Sequence, residues 1–224
     1  LMLRLLFLFL FMIESAIGFS QGEDHREKSL PLNIKPSFAG TYAELRSGRF
    51  HAGLDFRVGG VVGEPIYSID DGYISRITVS GSGYGNGLYI THPDGTTSIY
   101  GHMHTFAPEI ADMVEARQYE TESFNVDITL TPEDMPVERG QYVGTVGNSG
   151  SSVAPHLHFE VRHPDGSGPV NVISAGYFDH PDNVPPVIKK INFYSHEDSL
   201  GVVKSERLRS FRGSFSKVID VTEK

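Results

Sequence analysis

Cysteine is absent from all 224 residues. Disulfides, thiolate metal clusters, cysteine nucleophiles and a lipid-anchored N-terminal cysteine are thereby excluded. Any metal must be held by His, Asp, Glu or carbonyl oxygen. Basic residues are in the minority: 19 Lys and Arg stand against 28 Asp and Glu, a formal net charge of −9. That balance argues against nucleic acid or an anionic membrane surface as the main partner. No Gly-x-Ser-x-Gly nucleophile elbow occurs. The Gly/Ser-rich stretch from Gly147 to Ser152 lacks the Lys and the strand-to-helix setting of a phosphate loop. The glycines of 81–87 precede a strand pattern, where a dinucleotide loop needs a helix.

What is present is 39% hydrophobic residues with 24 Gly and 13 Pro, a turn-rich composition that favours β over α structure. Residues 1–20 combine Arg4, nine unbroken apolar residues from Leu5 to Ile13, and small Gly18 and Ser20. This is the pattern of a secretory signal peptide. The run is short of the roughly 20 apolar residues of a membrane span. The expectation is an exported protein, periplasmic or associated with the cell envelope, with no stable membrane span after cleavage. Residues 21–31 read as a flexible lead-in.

Residues 32–179 read as the main domain. Strands are predicted at Gly53–Val58, Pro65–Ile69, Tyr73–Val79, Leu88–His92, Thr97–Tyr100, Tyr142–Val146 and His156–Arg162. Two hairpin signals, Pro93-Asp94-Gly95 and Asp70-Asp71-Gly72, lie between such runs. The fold class is all-β, a two-sheet antiparallel β sandwich. Residues 107–138 carry nine acids and one base, Arg117, and read as a short helix-plus-strand insertion. The helix is predicted over Pro108–Glu120, and Phe124, Val126, Ile128 and Leu130 alternate as a strand. This acidic insertion is either a solvated face or a wall of the groove that attracts a substrate ammonium. Residues 180–224 read as a linker and the start of a partial C-terminal β module.

The chemistry concentrates in histidine. In Pro155-His156-Leu157-His158-Phe159-Glu160-Val161, strand alternation puts His156, His158 and Glu160 on one face and the apolar residues on the other. Two imidazoles side by side on a sheet can divide labour, one ligating a metal and one standing beside its open position. His51 and Asp55 lie four apart; in an extended chain their Cα atoms would be about 13 Å apart at ~3.3 Å per residue. Gly53 between them permits a bend. With His158 they complete a two-His, one-carboxylate set of the kind found in catalytic zinc sites. His102, in Tyr100-Gly101-His102-Met103, can donate a hydrogen bond to a developing oxyanion. His92, His104 and His163, and His25, His180 and His196, are read as structural or incidental.

Three motifs in order, His51-x-x-x-Asp55, Tyr100-Gly101-His102-Met103, and Gly147-Asn148-Ser149-Gly150 running into His156-Leu157-His158, resemble those of lysostaphin-type (LytM-like) zinc endopeptidases of peptidoglycan, metallopeptidase family twenty-three. The resemblance spans about residues 32–173. It implies a sandwich of the duplicated-hybrid-motif type with an open groove, and one zinc ion per chain on His51, Asp55 and His158. It also implies His156 as general base and His102 as the group that holds or polarises the scissile carbonyl. The implied substrates are the stem peptides or cross-bridges of peptidoglycan. The rival class is a non-catalytic peptidoglycan-binding regulator of other wall hydrolases. The filled ligand set argues against it. A cupin-like metal site fits less well, because Glu160 follows His158 by only two positions.

Overall fold

The computed structural model describes residues 28–46 and 48–178, and the backbone of strands at 190–194 and 202–207. The signal-peptide reading, most of the lead-in, and His25, His180 and His196 fall outside the described residues. The chain divides into two compact units, residues 1–180 and 181–224.

The first unit holds two main sheets. Strands β1 (Phe38–Gly40), β4 (Leu54–Arg57), β6 (Gly72–Val79), β7 (Gly87–Thr91), β8 (Thr97–Gly101), β10 (Val126–Thr129) and β13 (His156–Arg162) form one antiparallel sheet in the order β1-β4-β13-β8-β7-β6-β10. β11 (Pro136–Val137) adds to β6. The second sheet is β5 (Pro65–Tyr67), β12 (Tyr142–Val146) and β9 (Met103–Phe106), also antiparallel. A small hairpin of β2 (Leu45–Arg46) and β3 (Arg49–Phe50) precedes β4. Among the described residues the unit also holds the helix α1 (Pro108–Thr121). In the second unit, β14 (Lys190–Tyr194) pairs with β15 (Val202–Arg207).

The architecture is the expected all-β pair of antiparallel sheets. The β7–β8 hairpin forms over Pro93-Asp94-Gly95, where the Asp94 carboxylate accepts hydrogen bonds from the Thr96 amide (2.9 Å) and hydroxyl (2.6 Å). Asp70-Asp71-Gly72 is different. It does not close a hairpin: β5 pairs with β12 and β6 with β7, so this turn carries the chain from one sheet to the other. α1 has Pro108 in its first turn, where the missing N–H costs nothing. It buries Ile110 and Val114 and extends one residue past the predicted end. The following strand is shorter than its alternation pattern. Pairing with β6 begins at Val126 opposite Val79, the last residue of β6, so Phe124 has no partner strand and is 71% exposed.

Leu157, Phe159 and Val161 of β13 are fully buried in the core. Phe159 packs against Tyr100 (centroids 5.4 Å), Phe178 (5.8 Å) and Phe56 (6.1 Å). Each such side chain contributes about 1.5–3 kcal/mol by leaving water. That burial anchors the strand whose other face carries His156, His158 and Glu160. Replacing Phe159 with Ala should therefore cost about 3–5 kcal/mol of folding stability, read as a lowered denaturant midpoint with an unchanged slope.

Candidate metal centre and active site

Three buried side chains converge from distant parts of the chain. His158 lies on β13 directly opposite Asp55 on β4, so the sheet register sets that pair side by side. The Asp55 Oδ1 atom is 2.8 Å from His158 Nδ1 and 3.0 Å from His51 Nε2. The two ring nitrogens are 3.0 Å apart. His51 reaches Asp55 because it sits before β4, held off the main ladder by backbone hydrogen bonds with Ala43 and Glu44, both 2.8 Å. Gly53 allows the chain to press onto β13: a Cβ there would meet the Phe159 carbonyl oxygen at 2.1 Å.

The outer nitrogens of both rings are already engaged. His51 Nδ1–H donates to the Thr41 carbonyl at 2.8 Å. His158 Nε2–H donates to Glu160 Oε1 at 2.8 Å. A neutral imidazole carries one N–H. The inner nitrogens of the neutral rings are therefore lone-pair acceptors, facing each other and a carboxylate oxygen. Three acceptor atoms within 2.8–3.0 Å repel unless a cation lies among them. This donor set fits a divalent metal, and the three residues form the metal-competent cluster of the described chain. Without a metal the cluster draws protons. Burial alone would lower His158 and raise Asp55. The hydrogen bonds linking them outweigh burial, raising His158 and holding Asp55 far below the ordinary carboxylate range.

Two more imidazoles flank the cluster. His156 Nδ1–H donates to the Ala154 carbonyl at 2.8 Å, which turns Nε2 inward, 3.5 Å from Asp55 Oδ1. His102 stacks edge-on to His156 with ring centroids 4.9 Å apart. Its Nδ1–H donates to the Ser149 carbonyl at 2.8 Å. Burial, reinforced by the neighbouring His156, pushes His102 down to about 4. A neutral His102 thus presents Nε2 as an acceptor, so the oxyanion-donor role expected of it requires prior protonation of that nitrogen. His102 has φ of 63°, a strained conformation for a non-glycine residue. It is the joint at which the chain leaves β8 in one sheet for β9 in the other.

Sequence reasoning missed what holds these rings. Glu160 is 1% exposed and fully engaged. Its Oε1 also accepts the Tyr84 hydroxyl at 2.5 Å, and its Oε2 accepts Arg162 Nε at 3.0 Å and Nη2 at 2.9 Å. Burial opposes its ionisation, but the bonds from His158 and Tyr84 hold it down at about 2. Burial and the same carboxylate raise the Tyr84 hydroxyl. Arg46 Nη2 binds the other Asp55 oxygen, Oδ2, at 2.5 Å. The Gly/Ser-rich stretch has its role here. Ser149 Oγ donates to the Met103 carbonyl and accepts the Asn86 amide, both 2.9 Å, while Gly150, at φ of 67°, abuts the Gly85 amide. The signal for Glu160 was visible, since it shares a strand face with His156 and His158. Tyr84 and Arg46 gave none.

The cluster opens into a groove of about 1040 Å³, bordered by Phe50, Val153 and the four imidazoles. No residue of 107–138 lines it. The acidic insertion is not a groove wall, because β10 pairs with β6 at the far edge of the sheet from β4 and β13. Its Asp127 forms a two-bond ion pair with Arg76 at 2.7 and 2.6 Å. His92 is buried and structural, bonded to the Asp71 carbonyl and the Ser98 hydroxyl, each at 2.8 Å. His104 and His163 are exposed.

Glu160→Ala should weaken divalent-metal affinity by about 10–100-fold, because nothing then fixes the His158 tautomer. Glu160→Gln, whose amide oxygen still accepts from Nε2, should lose less. Competition with a chromophoric chelator measures both.

Comparisons with known proteins bear on the family. The profile described as peptidase family M23 matches residues 49–125 and 117–172. The DD-carboxypeptidase/endopeptidase Mpg of Neisseria meningitidis is 29% identical over 131 residues, 58% of this chain and 24% of that protein. The glycyl-glycine endopeptidase ALE-1 of Staphylococcus capitis is 30% identical over 130 residues, 57% of this chain and 29% of that one. This chain thus spans about a quarter of the length of the relatives it matches. Among solved structures, the catalytic domain of the prophage-encoded M23 protein EnpA from Enterococcus faecalis matches at 25% identity with a TM-score of 0.45, covering 64% of this chain and 93% of that one. With the family's profile matching more than half of its length, the chain belongs to peptidase family M23.

Proposed function

We propose that this protein is an exported zinc endopeptidase that hydrolyses peptide bonds in the stem peptides or cross-bridges of peptidoglycan, in the periplasm or cell envelope. One observation carries the reading. Three acceptor atoms lie within 2.8–3.0 Å of one another in an open groove, with two further imidazoles turned toward them. The relatives' names, a DD-carboxypeptidase/endopeptidase and a glycyl-glycine endopeptidase, support peptide-bond hydrolysis as the activity.

Zinc held by His51, Asp55 and His158 would polarise the scissile carbonyl and bring the pKa of water near 7. The protein's own residues do the rest. His156, its Nδ1–H fixed on the Ala154 carbonyl, keeps the Nε2 lone pair aimed at the attacking water and takes its proton. The imidazolium so formed becomes a donor and passes that proton to the leaving amine. His102, locked on the Ser149 carbonyl, faces the same space and, once protonated at Nε2, would donate to the oxygen of the scissile carbonyl. Glu160, Tyr84 and Arg162 hold His158 still while charge moves. The groove borders, Phe50 and Val153, are 68% and 101% exposed, an apolar surface against which a peptide can lie.

Purified protein incubated with purified peptidoglycan should release fragments whose masses differ from the intact network by one water per cut bond. His158→Ala should abolish release, and chelation should do the same to wild type until zinc is restored. His156→Ala should keep its metal yet lose about 10²–10⁴-fold in rate. A wild-type protein that binds metal and wall without releasing any fragment would instead be a regulator.

A further inference from the structure

We propose that Arg57 forms a carboxylate-binding subsite beside His156, so that the groove selects peptides with a free carboxylate close to the cleaved bond. The proposal rests on the peptidase reading above and names the charge of its substrate. β4 runs antiparallel to β13 with Arg57 opposite His156 and Asp55 opposite His158. Arg57 follows Asp55 by two residues, so both side chains leave the sheet on the groove face. Residues directly opposite in such a pair have Cβ atoms about 4.5–5.5 Å apart. A guanidinium thus stands one cross-strand neighbour from the imidazole placed to move the proton.

Its geometry is already half fixed. Arg57 Nε–H donates to the Phe38 carbonyl at 2.9 Å, which tethers the head of the side chain. Among the described residues, its two Nη groups make no hydrogen bond or ion pair. The guanidinium fork is left with its outer edge free, the edge that binds a carboxylate through two parallel bonds. Four arginines line the groove. Arg46 is taken up by Asp55 and Glu44, and Arg162 by Glu160. Arg49 and Arg57 form no ion pair among the described residues. Uncompensated positive charge gathered in one groove of a chain with net charge −9 attracts an anionic ligand there. An ammonium-bearing residue would be repelled from the same place.

The test compares synthetic stem-type peptides of one sequence. In one the C-terminal carboxylate is a carboxamide. In another the side-chain carboxylate flanking the cleaved bond is amidated. The full chain loaded with zinc should cleave the free acid with kcat/KM about tenfold or more above one of the two amides, mainly through KM, and that arm identifies which carboxylate is held. Arg57→Gln should bring the acid-to-amide ratio close to one. Arg57→Lys, with the charge but without the fork, should keep part of it. Because the read-out is a ratio, partial loss of folded protein leaves it intact. A wild-type ratio near one for both amides overturns the proposal, as does a ratio unchanged in Arg57→Gln. If no peptide is cleaved, the peptidase reading fails instead. Calorimetric titration of the zinc-loaded protein then decides the subsite: tighter binding of the acid than of the amides supports it, and equal affinities overturn it.

Discussion

Everything in this molecule's active face depends on a repulsion. His51 Nε2, His158 Nδ1 and Asp55 Oδ1 bring lone pairs together in a buried place where few waters can screen them. Such an arrangement is stable only around positive charge, whether protons or a metal ion. The fold keeps the three atoms from turning away by occupying their other sides. The Thr41 carbonyl, the Glu160 carboxylate and the Arg46 guanidinium each take an outer atom. The affinity for a cation is therefore built from hydrogen bonds one step removed from it.

The sheet supplies the rigidity this requires. One face of β13 is spent on Leu157, Phe159 and Val161, whose burial offsets the cost of placing ionisable groups on the other. Antiparallel register then works as a ruler, setting His158 against Asp55 and His156 against Arg57. The second sheet contributes through His102, the strained residue where the chain changes sheets. Its ring is fixed by the Ser149 carbonyl, in a loop locked onto 83–86 by Ser149 and Ser151. Four imidazoles thus keep defined tautomers because each has one nitrogen on a protein acceptor.

Much of the fold was readable beforehand. The strands of the central meander carry alternation strong enough to be placed within a residue or two, and Pro93-Asp94-Gly95 marks its hairpin. Not so β1, β2, β3, β9 and β11; of these β2, β3 and β11 have two residues each, too few to show a period. Asp70-Asp71-Gly72 looked like a hairpin because turn chemistry is local, whereas partner choice is not. In the site, the residue types and their strand faces were legible for His156, His158 and Glu160. Tyr84 and Arg46 were invisible, since they reach the site from loops and from an edge hairpin 76 and 9 residues away from their partners.

The amino-acid sequence by itself determined the inventory. With no cysteine, a metal had to fall to His and carboxylate, and local periodicity decided which faces those residues occupy. Only the tertiary structure decided which nitrogen of each ring looks inward, that the acidic insertion lies away from the groove, and that Arg57 stands beside His156. The reason is physical. Periodicity reports burial along one strand, but a hydrogen bond from Thr41, Ser149 or Glu160 to a ring depends on elements brought together across the chain, and those contacts leave no period in the text.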